Sequence, residues 1–181
     1  KFNNAKVLYP ERRICSRYLD NKNMQMYYDT VEGLVPRKKI RIRTYETDDF
    51  LHSDSSYALE IKLTTEISRM KTIKKNINAR NLLNNGYHDS IYGNCLEKID
   101  ISYIREYFVI QGIRVTIDKD IKYKQIKNNE SIFPFIIQDK SYVLEIKTDI
   151  NKDLTDLSNL FDFPRTKFSK YERAIESVYG I

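Results

Sequence analysis

Strict alternation of charged and apolar residues in short runs constrains this chain more than anything else. Residues 39–45 read KIRIRTY, which puts Lys39, Arg41, Arg43 and Tyr45 on one face of an extended strand and Ile40, Ile42 and Thr44 on the other. The tetrapeptide LEIK occurs twice, at residues 59–62 and 144–147, each copy preceded by a tyrosine (Tyr57, Tyr142). In the first copy Glu60 and Lys62 oppose Leu59 and Ile61; in the second Glu145 and Lys147 oppose Leu144 and Ile146. Arg114, Thr116 and Asp118 alternate with Val115 and Ile117, and Tyr103 and Arg105 flank Ile104. Period-two patterning on this scale specifies antiparallel β structure.

The strand windows are 14–20, 39–45, 56–63, 100–109, 112–122 and 141–148, separated by turn-rich stretches such as 47–55 and 127–131. Between them, residues 65–85 carry Ile67, Met70, Ile73, Ile77, Leu82 and Leu83 at helical spacing, with Gly86 placed to end a helix. A second helix is expected over 154–161. A third starts at Ser169, because Ser169-Lys170-Tyr171-Glu172 has the form of a capping box. Its first turn offers unpaired N–H groups and a positive dipole end, reinforced by Lys167 and Lys170, and so favours an anion.

With 181 residues the chain suits a single domain, and its 41% hydrophobic content suffices for a core. Lysine and arginine exceed aspartate and glutamate by 31 to 25, a formal charge of +6 that points to a polyanionic partner. Cys15 and Cys95 lie outside any metal-ligand spacing, which argues against a zinc site or disulfide scaffold and for a reducing, cytoplasmic setting. The longest apolar run, 133–137, is interrupted by Pro134 and too short to cross a bilayer. His52 and His88 have no second ligand at metal spacing and read as loop residues. Dispersed tyrosines without a recognition helix or RNP-type motif argue against nucleic acid.

Taken singly, each charged face could simply be solvated. The residues filling these faces are arginines and lysines with a minority of carboxylates, and little of the serine, threonine and glutamine usual on a solvated face. If the sheet closes with these faces inward, Arg41, Arg43, Lys62, Arg105, Arg114 and Lys147 converge and repel unless an anion fills the space. Arginine forks match phosphate oxygens, lysines act as point charges, and a carboxylate among them can hold a divalent metal that bridges phosphates. Phosphoryl transfer asks mainly for positioning and charge stabilisation, so the lack of a nucleophile–histidine pair is no obstacle.

These residues resemble the triphosphate tunnel metalloenzymes and, within them, the VTC domain of polyphosphate polymerases. The resemblance runs through Ser16-Arg17-Tyr18-Leu19-Asp20, Glu32-Gly33 with Arg37 to Arg43, both LEIK copies, Tyr103-Ile104-Arg105, Arg114-Val115-Thr116-Ile117-Asp118 and Lys167-Phe168-Ser169-Lys170-Tyr171. It implies an α+β fold built on a closed antiparallel β-barrel of about eight strands with flanking helices. The implied activity is transfer of the γ-phosphate of ATP to a growing polyphosphate chain, with Mn2+ or Mg2+ as cofactor and ATP and polyphosphate as partners. Arg41, Arg43, Lys62, Arg105, Arg114 and Lys170 would be catalytic and phosphate-binding. Lys147, Lys167 and Ser169 would add phosphate contacts, and Glu145 would hold the metal. Lys71 is a weaker phosphate candidate, and Glu60 and Asp118 are weaker acidic ones. The two LEIK copies would thus differ in task, Lys62 binding phosphate and Glu145 metal. The family's first strand would survive as Lys1-Phe2 or lie upstream, and coupling to a membrane complex would run through parts outside this chain.

Two alternatives accompany this reading. A triphosphatase of the same fold is expected to carry more glutamates per strand, to hold metal and orient water. A polyanion-binding module without catalysis would bind phosphate chains with a steep salt dependence and no turnover.

Overall fold

The computed structural model describes residues 5–45, 50, 56–126, 135–147, 161 and 164–181. Nine strands and three helices make up the described secondary structure, in the order β1 (Lys6–Asp20), α1 (Gln25–Glu32), β2 (Arg37–Tyr45), β3 (Ala58–Thr64), β4 (Arg69–Lys75), α2 (Ala79–Asn85), β5 (Tyr87–Asp89), β6 (Gly93–Ile110), β7 (Ile113–Gln125), β8 (Ile136–Asp139), β9 (Val143–Lys147) and α3 (Lys170–Tyr179). The ladders are antiparallel and run β4-β3-β2-β1-β6-β7, after which β7 pairs with both β8 and β9. A strand is present in each expected window; those over 14–20, 39–45 and 100–109 extend further, whereas those over 56–63 and 141–148 begin two residues later, and the domain is α+β.

Closure into a barrel is not observed. Among the described residues no ladder joins β4 to β8 or β9, so the sheet is open. The physical reason lies in β4, RMKTIKK, which is exposed along its whole length. Its lysines belong to the kind of sequence that keeps a sheet edge from pairing. The sheet nevertheless curls, since Glu145 on β9 and Lys62 on β3 are near enough for their charges to interact, although four strands separate them in the ladder order.

The helix expected over 65–85 divides in two. A Thr65–Ser68 turn, with Thr65 N–H bonded to Ser68 O at 2.9 Å, reverses the chain into β4, and Asn76 at φ 55° breaks the strand. Ile67, Met70 and Ile73, which supplied the helical spacing, are 96%, 56% and 47% exposed. Pairing with β3 over the full length of β4 overrides that weak periodicity. Only α2 is helical, started by Asn78, whose side chain accepts from Asn81 N–H, and followed by Gly86. At Gly86, φ is +75° and a Cβ would fall 2.4 Å from Asn94 Oδ1, so glycine is required there. The helix expected over 154–161 lies outside the described residues except for Phe161, which is buried with Ile110, Ile113 and Val115.

The Ser169 helix start is observed: Ser169 Oγ accepts from Glu172 N–H at 3.3 Å and Gly180 closes α3 in the left-handed region. Helix α3 packs on the polar face of the sheet. Tyr171 stacks on Tyr18 (5.0 Å between centroids, 9° between planes) and its hydroxyl donates to Asp20 at 2.7 Å. Asp20 also accepts from the N–H groups of Met26 and Tyr27, tying β1 to α1 and α3 at once. On the opposite face Ile40, Ile42 and Leu59 are buried, and Ile61, Leu82 and Leu83 pack against that core.

Candidate functional site

The register gathers the polar-face side chains of β1, β2, β3, β6, β7 and β9 into one cluster. Residues directly opposite in an antiparallel ladder share a face. Tyr18 pairs with Arg41, Ser16 with Arg43, Arg41 with Glu60, Arg105 with Asp118, Thr116 with Glu145 and Arg114 with Lys147. A bulge in β7, marked by the positive φ of Asp120 and a register shift, lets Asp118 and the buried Ile121 and Tyr123 face the same side.

Glu60 holds the first half of the site together. Arg41 reaches it through Nε at 2.8 Å and Nη2 at 2.6 Å, Arg43 Nη1 lies 3.4 Å away, and Lys71 Nζ donates to its other oxygen at 2.8 Å. Burial alone would raise the carboxyl, but the two guanidiniums and Lys71 outweigh it and hold it at about 2. Arg41 also donates to the Tyr18 hydroxyl at 2.7 Å, and Arg43 to Ser16 Oγ and the Tyr103 hydroxyl, both at 3.2 Å. Burial would raise the Tyr18 phenol, yet Arg41, Arg43 and Lys39 together bring it below its ordinary value.

Asp118 anchors the second half. It is fully buried and accepts both arms of Arg105, at 2.6 and 2.8 Å, and Lys170 Nζ at 2.5 Å. Lys170 lies 4.7 Å over the Tyr103 ring and Arg105 5.4 Å over it, so one aromatic face supports two cations while its hydroxyl meets Arg43. Despite burial, Arg105 and Lys170 hold the Asp118 carboxyl below its usual range.

Lysines occupy the rows between these anchors. Lys39, Lys62 and Lys71 stand directly opposite one another across β2, β3 and β4, an arrangement of like charges that costs stability. Lys39 Nζ donates to Ser169 Oγ at 2.7 Å, joining β2 to the start of α3. Burial first, then neighbouring Lys62 and Arg37, bring Lys39 down to about 8, against partial relief from Tyr18 and Glu172. Lys62 is lowered by burial and by Arg69 and Arg41. Among the described residues of this cluster, nine cations (Lys39, Arg41, Arg43, Lys62, Lys71, Arg105, Arg114, Lys147, Lys170) thus accompany three carboxylates (Glu60, Asp118, Glu145), an excess that an anion can relieve.

The expected site residues therefore fall into groups. Arg41 with Arg43, and Arg105 with Lys170, are fixed by buried carboxylates. Arg114 and Lys147 are exposed and form a rim with the half-buried Glu145, whose Oε2 lies 3.5 Å from Arg105 and Oε1 3.5 Å from Lys147. Lys62 is exposed between Lys39 and Lys71. Lys167 contacts the helices instead, donating to Thr30 O on α1 at 3.1 Å and lying 3.8 Å from Glu172. Glu60 and Asp118 serve as counter-ions of arginines. The two LEIK copies differ accordingly: the Glu60 side chain is 5% exposed and the Glu145 side chain 44%. Tyr18, Tyr103 and Lys39 are site components that sequence reading did not single out. The alternation placed Tyr103 and Lys39 on charged faces, but only the register reveals their contacts.

Among the described residues no group of three or more His, Cys, Asp or Glu is placed to hold a metal. Glu145 nevertheless suits a hard cation shared with phosphate. Its side chain is half-exposed, and opposite it Thr116 Oγ1 is buried without a hydrogen-bond partner among the described residues. Mg2+ in phosphoryl-transfer sites is commonly held by one or two carboxylates plus phosphates and water.

Fold and site together define a β-rich α+β domain whose polar face carries a cation-rich cluster tied together by ion pairs. A family model described as VTC domain matches residues 2–179. The chain belongs to the VTC domain family, which is linked generally to polyphosphate metabolism. No curated protein matches the chain.

Proposed function

We propose that the protein is a polyphosphate polymerase that transfers the γ-phosphate of ATP to the end of a growing polyphosphate chain. The observation that carries this reading is the excess of cations over carboxylates in the cluster on one face of the sheet, with the arginines locked in position by Glu60 and Asp118. Locked guanidiniums need not reorganise as negative charge shifts during transfer, which is where such groups lower a barrier.

In this reaction a terminal oxygen of the chain attacks the γ-phosphorus of ATP. A new P–O bond forms, the bond from the γ-phosphorus to the β–γ bridging oxygen breaks, and ADP leaves with that electron pair. The attacking oxygen is already anionic at neutral pH, so no side chain has to remove a proton. Arg41, Arg43 and Arg105 would clamp phosphate oxygens, and Lys62 and Lys170 would add charge. Glu145 and the Thr116 hydroxyl would hold Mn2+ or Mg2+, which supplies charge neutralisation between phosphates.

Water as the competing nucleophile would require a base. Glu60 and Asp118 suit that role poorly, since their cationic partners depress both carboxyls. This supports synthesis over hydrolysis. Incubation with γ-labelled ATP and Mn2+ tests the proposal: label should enter long chains as ADP accumulates. Label found only in free phosphate would identify a triphosphatase, and no turnover a binding module.

A further inference from the structure

At the end of the polar face away from α3, charge gives way to aromatic rings. Tyr45 follows Arg43 by two residues on β2, and Tyr107 follows Arg105 by two on β6, so each tyrosine shares its arginine's face. Tyr9 pairs with Tyr107 across the β1–β6 ladder, and Arg12 pairs with Arg105 in the same ladder. The Tyr9 and Tyr107 rings meet edge to face at 5.8 Å and 85°, with the Arg12 guanidinium 5.9 Å from both centroids. Tyr45 stands close enough to Tyr107 for their ionisations to interact.

These rings are poorly explained as core. Tyr9 is 50% and Tyr45 42% exposed, whereas Tyr123 and Tyr171 are nearly inaccessible. Exposed aromatic faces beside an arginine form a stacking surface that accepts any flat base. Two residues along a strand span about 7 Å, comparable to the reach of a ribose between a base and its phosphates.

We propose that Tyr9, Tyr45, Tyr107 and Arg12 form a nucleobase subsite, stacking the base of a nucleoside triphosphate whose phosphates lie on Arg43 and Arg105. This rests on the nucleotide-dependent reading above. The donor then lies with its base at the tyrosine end and its γ-phosphate directed toward Lys170 and Ser169. Because stacking reads the flat face of a ring, ATP and GTP are accommodated alike.

Calorimetric titration of ATP, GTP and tripolyphosphate separates this subsite from the phosphate site. Tyr9→Ala should weaken ATP and GTP about tenfold and leave tripolyphosphate within about twofold, with Tyr9→Trp restoring nucleotide binding. Tyr45→Ala should act in the same direction. The subsite is refuted if nucleotide affinity is unchanged in both alanine variants, or if tripolyphosphate weakens in parallel. If wild-type protein binds tripolyphosphate but both alanine variants leave ATP unaffected, the subsite alone falls. If wild-type protein binds neither ligand, the phosphotransferase reading falls with it.

Discussion

Arg105 grips Asp118 with both arms of its guanidinium, at 2.6 and 2.8 Å across the β6–β7 ladder, and Lys170 reaches the same carboxylate from α3. Asp118 is inaccessible to solvent, so its charge is justified only by these two partners.

Asp118→Asn should therefore leave two cations facing each other and destabilise the free protein by about 3–5 kcal/mol. Saturating tripolyphosphate should recover much of this, because the ligand supplies the missing negative charge. Chemical denaturation with and without tripolyphosphate measures both effects. A variant as stable as wild type would mean that the pair contributes nothing to the fold.

Glu60 sets the response to acid. Its folded-state value of about 2 lies below the ordinary 4.5, so the unfolded chain binds the proton more tightly. The stability Glu60 contributes is present above pH 4.5 and is lost as pH falls through about 2. Glu60→Gln should flatten the stability profile over that window, as followed by denaturant midpoints at successive pH values.

Lys39 sets the response to alkali. Folding lowers its value from 10.5 to about 8, which penalises the protonated form at neutral pH and relieves the penalty as pH rises from about 8 towards 10.5. Phosphate favours the protonated form and pulls the value back up. Tripolyphosphate affinity should therefore fall above pH 8, with proton uptake on binding in that range. Calorimetry in two buffers of different ionisation enthalpy reads the uptake, and Lys39→Arg should abolish it. Equal uptake in both proteins would remove Lys39 from the site.

Lys167 and Lys170 belong to one short motif yet sit differently. Lys170 is fixed on Asp118 inside the site, whereas Lys167 is 61% exposed and bonded to the end of α1. Lys170→Ala should reduce polyphosphate synthesis by about 100-fold, and Lys167→Ala by far less. Initial rates of ADP formation with ATP and Mn2+ compare the two. Equal losses would place Lys167 among the phosphate contacts implied by the family resemblance.

Much of this was legible in the sequence, for reasons that vary by element. The strands around Arg41, Glu60, Arg105 and Glu145 announced themselves because half-buried strands must alternate. β4 did not, since an edge strand exposed throughout carries no burial pattern and its scattered apolar residues imitate a helix. α1 was also missed: no side chain of its own caps it, Asn21 Oδ1 accepts its first N–H group, and Asp20, at the end of β1, accepts the next two from six and seven residues away. Arg41, Arg43 and Arg105 could be named in advance because few roles suit arginines in alternation. The tasks of Tyr18, Tyr103 and Lys39 depend on register and on where α3 lands, which composition does not encode. Closure was expected from the family resemblance, whereas the ladders leave β4 and β9 unjoined among the described residues.

The central claim is that one face of the sheet binds a phosphate chain. A crystal structure of the protein with tripolyphosphate and Mn2+ tests it most directly. The account predicts phosphate oxygens in contact with Arg41, Arg43, Arg105 and Lys170, with the metal on Glu145. Phosphate bound elsewhere on the molecule, with the ion pairs of Glu60 and Asp118 facing only solvent, would contradict it.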